Sequence, residues 1–148
     1  MKENGVHTRL MYAFHRIQKI NFPMGTDISK MEFFALQVIS RHQQKMDTQG
    51  IYVSELAQNL HIAPSQTSRM LKSLEERNLI GRCIDGRDRR NTYVYLTEEG
   101  TETCRQAQKN IKNYMNRVKN AMGEERMDEL INLCNELADI MEQEAKNS

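Results

Sequence analysis

The sequence predicts a mainly helical fold carrying one small β-hairpin. Three observations lead there. Apolar residues recur at helical spacing, from Leu10, Phe14 and Ile17 near the start to Leu130, Ile131, Cys134, Leu137, Ala138 and Met141 near the end. The 148 residues include only two Pro, seven Gly and no Trp, which suits a mostly helical chain. The third observation is the stretch GRDRRNTYVYLTEEG, residues 86–100, where an arginine-crowded turn runs into a short β-like segment and then a helix start.

The elements follow in order. Residues 7–20 read as a helix, with Met11 beside the Leu10, Phe14 and Ile17 stripe. NFPMGTD then breaks the pattern with Pro23 and Gly25. Ser29 and Glu32 form a capping-box signature, in which serine caps a backbone N–H and the glutamate reaches back. They open a helix over about 30–43, with Phe34, Leu36, Val38 and Ile39 as its apolar residues. VSELAQNL (53–60) is a short helix ended by His61-Ile62. Pro64 starts the next, at the first helical position where a missing N–H costs nothing, and it runs to about Asn78. Strands are expected at roughly 79–84 and 92–96, joined by Asp85–Asn91. Thr97 caps a long helix whose first turn holds Glu98 and Glu99, favourable against the helix dipole. Its stripe is Cys104, Ala107, Ile111, Tyr114, Met115, Val118 and Met122. Gly123 ends it before a last helix over about 124–145.

Two short helices joined by a tight turn and followed by a hairpin make a winged helix-turn-helix. The expected organisation is a single domain, 1–148, with a winged helix-turn-helix lobe over 30–100 and helical regions at 1–22 and 101–148.

The net charge of +1 excludes a general polycation, but the charge is unevenly spread. Residues 64–92 hold seven Lys/Arg against four acids, whereas 98–148 hold seven against eleven. A basic middle and an acidic tail suit a localised anion-binding face. The polar start MKENGVHTR shows no signal peptide, and no apolar run reaches the roughly 20 residues of a membrane span, so the protein is expected in the cytoplasm without a membrane partner. Three widely spaced cysteines, Cys83, Cys104 and Cys134, give neither a disulfide framework nor a CxxC metal pattern. His7, His15, His42 and His61 lack close ligand spacing. With no phosphate loop, no G-x-S-x-G and only helix-surface carboxylate pairs, neither an enzyme nor a cofactor is expected.

The 64–78 helix has the pattern of a recognition helix, which taken alone is equally that of an ordinary amphipathic surface helix. At about 100° per residue, Thr67, Met70, Leu71 and Leu74 share one sector. Ser65, Arg69 and Lys72 lie opposite, with Ser68 and Gln66 on the flanks. One face packs while the other offers hydrogen-bonding tips and two cations, as a major-groove reader needs. Gln66 suits an adenine edge, and Arg69 a guanine or a phosphate.

The run from Val53 to Gly100 resembles the core of the MarR family, the multiple-antibiotic-resistance regulators. The SELA start, the S-R-x-L-x-x-L-E run, and an Asp-x-Arg wing tip followed after five residues by Leu-Thr-x-x-Gly all match; the last is Asp88, Arg90, Leu96, Thr97 and Gly100. Tyr52 and Ala63 depart from the pattern by standing where cap residues are usual, each a loss of about 1 kcal/mol. The resemblance implies that Arg90 enters the minor groove, oriented by Asp88. Arg87 and Arg89 then meet phosphates. A narrow A·T minor groove concentrates negative potential, and arginine suits it better than lysine. The resemblance also implies that the outer helices interlock in a homodimer on a pseudo-palindromic double-stranded DNA operator. It implies a repressor released by a small-molecule effector of unspecified identity.

Two rivals stand beside this reading. A winged-helix protein-interaction module would use the same polar face on an acidic protein. The same fold could also take its trigger from thiol oxidation at Cys83, on the strand next to the wing. Cys104 and Cys134, on apolar stripes, are expected to be buried structural thiols.

Overall fold

A computed structural model describes residues 5–46 and 49–148. Residues 1–4, part of the polar start read above for a signal, lie outside them. The element order is α1 (Val6–Gln18), α2 (Lys30–Met46), β1 (Ile51–Tyr52), α3 (Val53–Leu60), α4 (Pro64–Glu76), β2 (Ile80–Ile84), β3 (Thr92–Leu96), α5 (Glu98–Met122) and α6 (Glu124–Lys146). The chain forms two compact units, Met1–Asn110 and Ile111–Ser148, with α5 running through the boundary.

The expected helix starts have the expected chemistry. Ser29 and Glu32 cap each other: the Glu32 N–H donates to Ser29 Oγ at 3.2 Å, and the Ser29 N–H to Glu32 Oε2 at 2.8 Å. Thr97 Oγ1 accepts the Gly100 N–H at 2.9 Å and donates to the Asn78 carbonyl at 2.7 Å. It therefore caps α5 and ties that cap to the end of the preceding helix. Gly100 is needed where it stands: a Cβ there would lie 1.8 Å from the Leu79 carbonyl oxygen. α5 can thus start hard against the backbone that leads into β2.

The hairpin is part of a larger sheet than expected. β1 pairs antiparallel with β3, giving the order β1-β3-β2. Ile51 faces Val94 and Tyr52 faces Tyr93, while β2 and β3 pair from Ile80–Leu96 to Ile84–Thr92. The core of the first unit lies under this sheet. Leu36 and Ile39 of α2, Leu56 of α3, Leu71 and Leu74 of α4, and Ile51, Ile80 and Val94 of the sheet are almost wholly enclosed. Phe34, one of the apolar residues of α2, is exposed. Cys104 and Ala107 of α5 are buried.

Arg77, just past α4, joins distant segments. Its guanidinium donates to the Asp27 carbonyl at 2.7 Å and to Ser73 Oγ at 3.1 Å, and forms an ion pair with Glu32. At the other end of the loop, Lys30 Nζ reaches the Gln18 carbonyl at 2.6 Å.

The outer helices present their stripes differently. α1 and α6 bury no residue within the single chain. Val6, Met11 and Ile17 on α1 and Leu130, Ile131 and Met141 on α6 remain exposed. Cys134, expected to be buried, is exposed as well, because α6 has no covering layer in its own unit.

Candidate nucleic-acid interface

α4 is built from its buried side outward. Thr67, Leu71 and Leu74 face the core, and Met70 is half-buried at the edge. Thr67 is a buried hydroxyl, satisfied by donating to the Ala63 carbonyl at 3.1 Å. Neither Ala63 nor Tyr52 provides a side-chain cap, as their residue types foretold. Ser65, Gln66, Ser68, Arg69 and Lys72 are all exposed. Lys72 lies 4.0 Å from Glu76 in an exposed pair, too weak and too solvated to hold it in place. Gln66 and Arg69 line one cleft of about 530 Å³ with Met31, Ile62 and Met70.

The wing tip is ordered by two aspartates. Asp85 Oδ1 accepts the Arg87 N–H at 3.0 Å, and Asp88 Oδ1 accepts the Arg90 N–H at 3.0 Å. Each carboxylate bonds a backbone N–H two residues on, the local turn that aspartate favours. Asp88 therefore orders the Arg90 backbone rather than its guanidinium. The Asp85 N–H to Asn91 carbonyl bond (2.9 Å) and the Asn91 N–H to Asp88 carbonyl bond (3.0 Å) close the loop. Arg87, Asp88, Arg89 and Arg90 are exposed.

The seven cations of residues 64–92 are not equivalent. Arg77 is committed to Glu32, and Arg82 Nε is bound to Glu75 at 2.9 Å. Among the described residues no ion pair holds Arg69, Arg89 or Arg90. The helix face and the wing tip thus keep free guanidinium groups, while the cations between them hold the fold.

One cluster escaped the reading of the sequence. Tyr93 donates to the Tyr52 hydroxyl at 2.5 Å, and Tyr52 donates to Asp85 Oδ2 at 3.0 Å. The two rings stack with centroids 4.2 Å apart. The Arg87 N–H holds the Asp85 carboxyl below its usual range, helped by the Tyr52 hydroxyl and the Arg87 charge. Tyr52 is pushed well above an ordinary phenol by its bond with Tyr93, by desolvation and by Asp85. Tyr52 and Arg90 line a common cleft of about 240 Å³, with Ser54, Arg82 and Asn91. The signal for this cluster was Tyr52 at a position where a cap is usual.

Among the described residues, no helix is long and apolar enough to cross a membrane, and no group of three His, Cys, Asp or Glu could hold a metal ion.

Comparison with known proteins agrees with the architecture. The MarR family model matches residues 28–92. The HTH-type transcriptional repressor MdtR of Bacillus subtilis (strain 168) is 27% identical over 121 residues, spanning 82% of this chain and 74% of that protein. YusO from Bacillus subtilis superposes with a TM-score of 0.67 at 26% identity, covering 90% of this chain and 92% of that one. The transcriptional repressor CouR, solved on a 23-mer DNA duplex, superposes with a TM-score of 0.74 at 24% identity, with the same coverage. The matched stretch, residues 28–92, holds the helix-turn-helix, β1, β2 and the arginine-tipped wing turn, so in this part the chain is similar to the MarR family.

Proposed function

We propose that the chain is a sequence-specific, double-stranded DNA-binding transcriptional regulator, a homodimer that represses a nearby promoter and is released by a small-molecule effector. It acts in the cytoplasm and catalyses no reaction. The observation that carries this reading is the distribution of free cations. Arg69 on the exposed face of α4 and Arg89 and Arg90 on the wing have no ion pair among the described residues, whereas Arg77 and Arg82 are spent internally. Ser65, Gln66, Ser68 and Arg69 read the major groove, with Lys72 on a phosphate. Arg90 enters the minor groove on a turn ordered by Asp88, and Arg87 and Arg89 take phosphates. The described repressor relative and the DNA-bound CouR structure support this assignment.

The uncovered stripes of α1 and α6 support the dimer, because a chain does not keep such faces in water without a partner surface. A two-fold dimer reads half-sites roughly 10–10.5 bp apart.

The test is a fluorescence-anisotropy titration of native protein and Arg90→Ala against the promoter upstream of its own gene, at several salt concentrations. Native protein binds with a steep salt slope, each phosphate contact adding about 0.9 to the log–log slope. Arg90→Ala loses roughly 1–3 kcal/mol. Weak and equal binding of both proteins would remove the wing assignment for that promoter and favour an acidic protein partner.

A further inference from the structure

We infer that Tyr52 and Asp85 are positioning residues for the wing. The Tyr93–Tyr52–Asp85 relay fixes the root of the hairpin to the first turn of α3, and so sets where Arg90 meets DNA. This rests on the DNA-reading proposed above.

Tyr52 ends β1 and directly precedes α3, the first helix of the helix-turn-helix. Asp85 directly follows β2 and begins the wing turn. Tyr93 lies between them on the central strand, opposite Tyr52 in one register and opposite Cys83 in the other. The relay therefore spans all three strands at the end of the sheet nearest the tip. Backbone pairing alone holds this junction loosely, since β1 contributes only two residue pairs, Ile51–Val94 and Tyr52–Tyr93.

The Asp85 carboxylate divides its oxygens between the two sides. Oδ2 accepts from Tyr52 at the α3 root, and Oδ1 accepts the Arg87 N–H inside the arginine turn. One side chain thus joins the helix-turn-helix to the tip. Hydrogen bonds to a charged acceptor are directional and stronger than neutral ones.

The chemistry argues against mere core packing. Tyr52 and Tyr93 are only half-buried. A Phe pair would stack and bury as well, with no hydroxyl to satisfy. The hydroxyls add a defined geometry, and Arg90 shares the cleft that Tyr52 lines.

The experiment uses the full chain and a duplex that the native protein selects from a random pool, with an unrelated duplex as reference. The variants are Tyr52→Phe, Asp85→Asn, Arg90→Ala and the Tyr52→Phe/Arg90→Ala double. Tyr52→Phe keeps the ring stack and removes the hydroxyl that donates to Asp85 and accepts from Tyr93. Tyr52→Phe and Asp85→Asn each weaken binding to the selected duplex by about tenfold, the loss of one charge-assisted contact at the tip. Binding to the unrelated duplex stays near native, and both variants remain folded by far-UV circular dichroism at the assay temperature. In the Arg90→Ala background, Tyr52→Phe costs less than about twofold, because the group being positioned is gone.

Arg90→Ala weakening the selected duplex while Tyr52→Phe and Asp85→Asn bind as native would overturn this inference alone. So would a Tyr52→Phe loss of equal size with and without Arg90, which marks general destabilisation. A native protein that selects no duplex would overturn the DNA reading, and this inference with it.

Discussion

Truncating Arg77 to alanine should cost more stability than any other change to a charged side chain in the 64–92 segment. Its guanidinium makes two strong contacts outside its own helix, the Asp27 carbonyl at 2.7 Å and the Glu32 carboxylate. The Ser73 carbonyl, at 3.3 Å, adds little, because it already accepts the Arg77 N–H at 3.2 Å. Hydrogen bonds involving a charged group contribute about 1.5–3 kcal/mol each. The Arg77 side chain is 33% exposed and Glu32 14%, so the arginine's share is screened while the stranded carboxylate is largely shielded from water. Glu32 retains the Ser29 N–H at 2.8 Å, which limits the penalty. The sum is about 2–3 kcal/mol. For a chain of this size that lowers the melting temperature by about 4–12 °C. The assay is urea denaturation at one fixed protein concentration, completed by Glu32→Gln and the double variant. A coupling energy of about 1 kcal/mol is expected between the two sites. An Arg77→Ala loss below about 0.5 kcal/mol, or single-variant losses that simply add, would refute the clamp.

Three further outcomes follow from local geometry. Gly100→Ala places a Cβ 1.8 Å from a backbone oxygen, so α5 must shift; a loss of about 1–3 kcal/mol is expected by urea denaturation, and an unchanged midpoint would contradict it. Cys83 is exposed, whereas burial pushes the Cys104 thiol up; a thiol reagent at neutral pH should therefore label Cys83 at once and Cys104 only on unfolding, and early modification of Cys104 in a peptide map would contradict this. Because the Asp85 carboxyl is held below its unfolded value, its contribution is complete above that value, about pH 3.9, and is lost as pH falls through the lower folded one. The Arg87 amide resonance should accordingly stay constant from pH 8 to about pH 4 and move only in stronger acid; an inflection above that point would sink the assignment.

Local chemistry was readable from residue types where partners lie three or four residues apart. Ser29 with Glu32, Pro64, Thr97 with Gly100, and the division of α4 into a Leu71–Leu74 side and an Arg69 side all needed only a helical period. Ends were less legible. α4 stops at Glu76 and Asn78 takes a left-handed conformation at φ 58°, which no periodicity announces. β1 is two residues long and has no pattern of its own, since its pairing comes from Val94 and Tyr93 more than 40 residues away. Long-range roles were hidden for the same reason. Arg77 reads as one more cation in a basic segment, because its partner Glu32 lies 45 residues upstream. Tyr52 stood out only as a missing cap, because its partners Asp85 and Tyr93 come from elsewhere in the chain. The exposed polar side chains of α4 and the wing, by contrast, lie on the surface as their types require, and only their spacing had to be read.

The uncovered apolar stripes of α1 and α6 bear on dosage. If pairing covers them, folding and assembly are one equilibrium, and the thermal midpoint rises with protein concentration by mass action. A midpoint that does not move over a hundredfold dilution would contradict this. In a growing cell, each halving of copy number would then shift molecules toward the unpaired form, which proteases meet more readily. Such a regulator disappears faster than dilution alone would remove it, so its level falls through a threshold rather than along a slope.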